Sequence, residues 1–228
     1  MRLLAIDTSS RVGSIALLDG SDVSERFIAT PREQAELVLP LVDDLLGARG
    51  IGLKDLDALV LGRGPGSFTG LRIAASVVQG LAFAAERPVV AVSSLEALAQ
   101  RAWRELGIED ALVCVDARMR EVYLARYVVR AGRAALVGDE RLVSPGDVAA
   151  PADPAPGADG WGAVGDGWEA YRDALAPVLA GASRVVPDLV PSARDLLVAG
   201  AAEVAAGRLL APEAALPVYL RDESAWRN

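Results

Sequence analysis

One unit is written twice in this chain. Leu3-Leu4-Ala5-Ile6 is a run of four apolar residues that ends in Asp7, and a turn and a second extended stretch, residues 14–18, follow it. Leu112-Val113-Cys114-Val115 likewise ends in Asp116 and leads through a turn into residues 121–129. Short apolar runs bounded by turns are the pattern of strands buried on both faces. The two copies lie about half a chain apart. The pattern predicts a duplicated α/β protein, with one domain over residues 1–100 and a second, degenerate one over 101–228, the last residues packing back on the first domain.

The intervening elements extend this reading. Thr30 suits an N-cap and Pro31 the first helical position of a helix that runs to Leu46 and stops at Gly47. A buried strand is expected at 56–61, a glycine-rich loop at 62–70, and a helix at 71–86 that Pro88 terminates. A strand at Val89–Val92 and a helix at Ser94–Leu106, ended by Gly107, complete a β-β-α-β-α-β-α order. That order predicts a mixed central sheet flanked by helices. The second half is less regular. Residues 149–160 are rich in Pro, Ala and Gly and read as a surface loop, 164–168 as a turn into a helix at 169–179, 192–206 as an amphipathic helix, and 217–220 as extended.

Composition narrows the chemistry. There is no histidine, which excludes Ser-His-Asp and Cys-His pairs, HExxH zinc sites and His-ligated metals. Acid–base work would fall to carboxylates, tyrosines or Lys54. Cys114 is the single cysteine, so no internal disulfide forms, and its apolar run marks it as an inert core thiol. The net charge is −8 and both halves are acidic, so tight binding of nucleic acid is expected only through a partner. A hydrophobic content of 52% supports a large core. No uninterrupted apolar run reaches the roughly 18 residues of a membrane span. The chain enters a strand at once, without a leader, and a cytoplasmic location is expected.

Three features are candidates for function. The loop at 62–70, GRGPGSFTG, lies between a buried strand and a helix. Its amides can cradle an anion, or the loop can be a tight connection with Ser67 or Thr69 as N-cap; both readings stand. Gly66 and Gly70 are expected in backbone conformations that a side chain would strain. It is no Walker A loop, because no Gly-Lys-Ser/Thr follows. Asp7-Thr8-Ser9-Ser10 can hold magnesium and a phosphate, or bond its own backbone. The weak anion or nucleotide candidates are therefore Asp7, Thr8, Ser9, Gly64, Gly66 and Ser67. Asp116 reads as structural, with Arg118 available to pair with a carboxylate. Finally, the helices at 33–46 and 71–85 are apolar on nearly every side, more than one core-facing stripe requires. A subunit interface is the preferred explanation, drawn from Val38, Leu39, Leu41, Val42, Leu45, Leu71, Ala75 and Val78. Val38, Leu41 and Leu45 share a face, as do Leu39, Val42 and Leu46.

These residues resemble a known family. A strand that ends in Asp and hairpins back opens each domain of actin-like nucleotide-binding folds. The opening LLAIDTSS, GRGPGSFTGLRIA at 62–74, VDARMREVY at 115–123, GDGW at 165–168 and PVYLRDESAW at 217–226 together resemble the TsaB (YeaZ) family, in its proteobacterial form. The resemblance implies a duplicated actin-like ATPase (ribonuclease H-like) fold. It also implies a non-catalytic subunit in the threonylcarbamoylation of adenosine 37 of tRNAs reading codons that start with A. TsaC would make threonylcarbamoyl-adenylate from threonine, bicarbonate and ATP, TsaD would transfer the group with a histidine-bound metal, and the ATPase TsaE would reset the complex. This subunit would pair with TsaD through helices of its first domain, reach tRNA only through the complex and pair with itself when alone. No cofactor is implied beyond ATP or ADP at a complex interface. Many relatives carry a His near the start of the first helix, where this chain reads Arg32-Glu33-Gln34. Alternatives are a small-molecule kinase or ATP-binding regulator of the same fold, and a protease-like regulator of TsaD; neither an adenosine motif nor a nucleophile–base pair is visible.

Overall fold

A computed structural model of the chain describes residues 1–221. In chain order its elements are β1 (Arg2–Asp7), β2 (Gly13–Asp19), β3 (Asp22–Ile28), α1 (Gln34–Gly47), β4 (Ala58–Gly62), α2 (Phe68–Ala85), β5 (Val89–Val92) and α3 (Ser94–Leu106), then β6 (Asp110–Arg118), β7 (Glu121–Arg130), β8 (Arg133–Val143), β9 (Gly162–Val164), α4 (Gly167–Ala170), α5 (Arg172–Leu179), β10 (Arg184–Val186) and α6 (Ala193–Ala205).

The two sheets have the same topology. The first is ordered β3-β2-β1-β4-β5 and the second β8-β7-β6-β9-β10 when read from the corresponding edge. In each, three antiparallel strands are followed by two parallel additions. The duplicated actin-like α/β fold therefore holds for both halves. The copies differ in their crossovers. α1 links the antiparallel strands to β4 in the first. In the second, a 3₁₀ turn at Pro145–Asp147 and the Pro-rich stretch lead to β9.

Packing divides the described residues into Met1–Ala97 with Pro191–Val218, and Leu98–Val190 with Tyr219, Leu220 and Arg221. A single cut near residue 100 misses the return of α6. The reason lies in the first sheet, which is apolar on both faces. Leu4, Ile6, Ile15, Leu17, Leu59 and Leu61 face one core with α1 and α2; Leu3, Ala5, Ala16, Ala58 and Val60 face the other with Ala193, Leu196, Leu197 and Ala199 of α6. Side chains alternate across a strand, so β1 needs two covers and its own half supplies only one in full. Close helix–sheet contact is fixed by Gly200, where a Cβ would lie 2.7 Å from Val60 Cγ2.

Four strands escape the sequence pattern, the three-residue β9 and β10 and the longer β3 and β8. β3 and β8 are the corresponding edges of the two sheets, and their polar residues face solvent. α1 begins after a 3₁₀ turn at Pro31–Glu33, and Thr30 Oγ1 donates to Glu33 Oε2 rather than capping an amide. α2 begins at Phe68, ahead of the expected 71. At 18 residues it is long and apolar enough, by length and composition, to cross a bilayer, although no uninterrupted apolar run is that long. Leu71, Ala74, Ala75, Val78 and Ala82 on this helix are buried in the first unit's own core. A core helix passes the same test of length and composition.

Candidate functional site

The C-terminal end of β1 and the glycine-rich loop form one buried cluster. Parallel pairing of β1 with β4, Ile6 opposite Leu61, brings the end of one strand beside the end of the other. Asp7 is 1% exposed. Its Oδ1 accepts the Ser9 amide (2.8 Å) and the Ser9 hydroxyl (2.6 Å), and its Oδ2 accepts the Ser94 hydroxyl (2.7 Å). Burial raises the Asp7 carboxyl above its ordinary value, and the bonds from Ser9 and Ser94 act in the opposite sense. The Thr8 hydroxyl donates to Gly70 O at 2.6 Å, and the Ser67 amide donates to Ser9 O at 2.7 Å.

The glycines have a steric reason. A Cβ on Gly62 would lie 2.2 Å from Asp7 Oδ2, one on Gly66 2.4 Å from Ser9 O, and one on Gly70 1.8 Å from Thr8 O. Gly64 alone among these four has a positive φ, +91°, and its amide donates to Ser94 Oγ at 3.2 Å. The expectation of a special conformation at Gly66 and Gly70 is therefore corrected. They are glycine because the 8–9 backbone touches them, not because of their φ.

Asp7, Thr8 and Ser9 and the loop residues Gly64, Gly66 and Ser67, two separate candidates in the sequence, are brought together by the fold. What they build is a clasp. Ser67 caps α2, accepting from the Gly70 amide at 3.3 Å. The amides of Arg63, Gly64, Ser67, Gly70 and Leu71 donate within the chain. The Thr8 and Ser9 hydroxyls, which would meet an anion, are likewise engaged. A phosphate held by these groups would have to displace the chain's own bonds, so at these groups the geometry favours the tight-connection reading. Sequence reasoning missed Ser94, which bonds both Asp7 and Gly64. Its only signal is a serine pair opening α3, which reads as an ordinary helix start.

In the second unit Asp116 is held differently. Its Oδ1 accepts the Arg118 amide (2.8 Å) and the Tyr171 hydroxyl (3.0 Å), and its Oδ2 pairs with Arg118 at 2.9 Å. Burial and the Asp116 carboxylate hold the Tyr171 hydroxyl above its ordinary value. Cys114 is fully buried, and desolvation pushes its thiol far up, as an inert thiol requires.

The helix surface corrects a set of sequence-predicted contacts. Val38, Val42, Leu45, Leu71, Ala75 and Val78 are buried within their own unit. Their side chains are unavailable to a partner, because they fill the core between helices and sheet. Leu39 is 47% exposed and Leu41 is half-buried. Leu37, Phe68 and Phe83 are exposed as well. A groove of about 480 Å³ is lined by Ala35, Phe68, Thr69, Arg72, Ile73, Ser76 and Val77, with the Arg72 guanidinium 3.9 Å over the Phe68 ring.

Two actin-like sheets, a first-unit carboxylate walled in by the chain's own glycines, and an apolar helical surface define a duplicated actin-like α/β protein with a closed clasp. Its relatives specify the family. A family model described as "TsaD: tRNA N6-adenosine threonylcarbamoyltransferase" matches residues 29–228. The tRNA threonylcarbamoyladenosine biosynthesis protein TsaB of Escherichia coli (strain K12) is 41% identical over 100% of this chain and 98% of its own length. The protein of the same description from Haemophilus influenzae is 34% identical over 100% and 97%. The structure of YeaZ from Pseudomonas aeruginosa superposes with a TM-score of 0.88 at 43% identity, covering 96% of this chain and 99% of that one. The chain belongs to the TsaB (YeaZ) family, within the broader TsaD-type family that the model describes. Five separated motifs carry the resemblance; residues 222–226 of the last lie outside the described residues.

Proposed function

We propose that this chain is a non-catalytic subunit in the biosynthesis of threonylcarbamoyladenosine in tRNA, and that it pairs with TsaD. The observation that carries the reading is the outward face of α1 and α2. Leu39 and Phe68 lie exposed on helices whose inner faces already fill a core, Phe68 lining the groove with Ile73 and Val77 and Leu39 standing one helical turn on from its lining residue Ala35. An exposed apolar groove of this kind marks an interaction site. The same face pairs two copies of this chain when TsaD is absent.

Two further features support the non-catalytic part. The sequence has no histidine to hold a metal of the kind the resemblance assigns to TsaD. The Asp7 carboxylate, which an active actin-like fold would turn toward a nucleotide, is spent on Ser9 and Ser94. On this reading TsaC supplies the activated group, TsaE acts on the assembled complex, and tRNA reaches this acidic subunit only through the complex, in the cytoplasm.

The test is co-expression with the cognate TsaD. The parent chain should co-purify with it and restore threonylcarbamoyladenosine, measured by nucleoside mass spectrometry, in cells lacking their own subunit. Leu39→Glu should leave a folded chain that no longer co-purifies. Retained binding by Leu39→Glu and by Ile73→Glu together would place the interface elsewhere. ATP turnover by the purified chain, lost in Asp7→Ala, would overturn the non-catalytic reading.

A further inference from the structure

The turn between β6 and β7 is built against its sequence. Arg118 pairs with Glu121 across a two-residue loop, Met119-Arg120. The φ angles of Arg118, Met119 and Arg120 are 63°, 54° and 61°. Two-residue hairpin loops with positive φ at both positions strongly prefer Asn-Gly or Asp-Gly, because a Cβ there meets the backbone. Here a methionine and an arginine occupy both, and a third left-handed residue precedes them where the register shifts between Asp116 and Arg118. The residue types at 119 and 120 do not favour this conformation over a wider loop; Asp116, which accepts the Arg118 amide, supports it locally, and tertiary contacts supply the rest.

One is the Tyr171 hydroxyl, which bonds Asp116 and the Arg120 backbone; the more extensive is Arg221. Its side chain is 9% exposed. One guanidinium nitrogen donates to Ala117 O (3.0 Å) and to Arg118 O (3.4 Å). The other donates to Met119 Sδ (3.1 Å) and pairs with Glu121 Oε2 at 2.7 Å. The planar fork thus touches four of the five residues from 117 to 121, which a point-charge ammonium cannot do at once. On the opposite side Asp116 accepts the Arg118 amide and side chain. The Arg118 and Met119 side chains nevertheless remain outside, 87% and 63% exposed. Residues held in sparsely populated backbone regions persist only where their surroundings over-determine them, and they concentrate at switches and binding surfaces.

We propose that Arg221 is a latch: its guanidinium imposes the conformation of the β6–β7 tip and so controls the surface that Arg118, Met119 and Arg120 present. Arg221 is a positioning residue in this role. With the latch withdrawn, the tip relaxes to a wider loop while the sheet behind it stays paired.

Amide hydrogen exchange on the full-length chain tests this, read by mass spectrometry on peptides covering 116–123. Arg221→Ala should speed exchange at 118–121 by about tenfold or more, through local opening. Peptides from β1 and β9 should stay unchanged. Arg221→Lys, which keeps the pair with Glu121 but loses the fork, should fall between. The deciding arm places the double substitution Met119→Asn, Arg120→Gly in both backgrounds. With residues that favour the turn by themselves, Arg221→Ala should change tip exchange less than twofold. If Arg221→Ala alone fails to fold, the same double substitution should restore folding, read by the near-ultraviolet signal of Trp161 and Trp168. An equal effect of Arg221→Ala in both backgrounds, or tip exchange unchanged by it, would overturn the latch.

Discussion

Gly70→Ala adds one methyl group at the point where α2 meets the Asp7 turn. The new Cβ would lie 1.8 Å from Thr8 O and 2.9 Å from Thr8 C. A carbon–oxygen contact relaxes at roughly 3.3 Å, so the two backbones must part by about 1.5 Å. Neither is free to move. Thr8 Oγ1 bonds Gly70 O at 2.6 Å, and Ser67 N bonds Ser9 O at 2.7 Å. Overpacking of this kind costs about 1–3 kcal/mol. Each buried polar group left without its partner costs about 1–3 kcal/mol more. Alanine returns about 1 kcal/mol through helix propensity. The balance is a loss of about 3 kcal/mol, or roughly 6–12 °C in Tm for a chain of this size. Thermal unfolding followed by circular dichroism measures it. The matched control is Gly80→Ala on the same helix, where no atom lies within 4 Å of the new Cβ. Propensity acts alone there, and Tm should rise by roughly 2–4 °C. If Gly70→Ala instead follows Gly80→Ala upward, the glycine is not there for close approach and the clasp does not hold α2 to β1.

Asp7 carries a pH signature. Its folded-state carboxyl lies above the unfolded value because burial dominates. A raised acid lets the folded chain bind more protons than the unfolded chain between the two values. This contribution to stability is therefore greatest below the unfolded value and is lost as pH rises through the folded one. Asp7→Asn should remove that slope from urea-denaturation stabilities taken across the range, and an unchanged slope would assign it to another group. Arg126 pairs with Asp110 at 2.7 Å, and Asp110 also accepts the Ala155 amide at 2.8 Å. Arg126→Met leaves that buried carboxylate short of its cation. It should destabilise the second unit by about 3 kcal/mol, the low end for a broken buried pair because the arginine is partly solvated. A loss under 1 kcal/mol in urea titration would show the pair to be solvent-screened.

The sequence by itself determined the repeat and the strand cores; that the Asp7 turn meets the glycine-rich loop was decided by the parallel pairing of β1 with β4. Leu3 to Ile6 and Leu112 to Val115 are apolar at every position because each strand is buried on both faces, and burial is written directly in residue type. The elements at Val89–Val92 and Ser94–Leu106 match the structure to the residue, since Pro88 and Gly107 bound them in the chain itself. What the chain pattern could not carry is any decision made by distant atoms. The edge strands β3 and β8 need only one covered face and read as polar sequence. The return of α6 to the first sheet depends on an uncovered face more than a hundred residues earlier. Whether the glycine-rich loop cradles an anion or the chain itself turned on the 1.8–2.4 Å approaches at Gly62, Gly66 and Gly70. Both uses demand the same residue, because a missing Cβ leaves room without saying what fills it. The apolar helices show the same limit. Periodicity revealed more apolar surface than one core requires, but only packing assigned Val38 and Val42 inward and Leu39 outward.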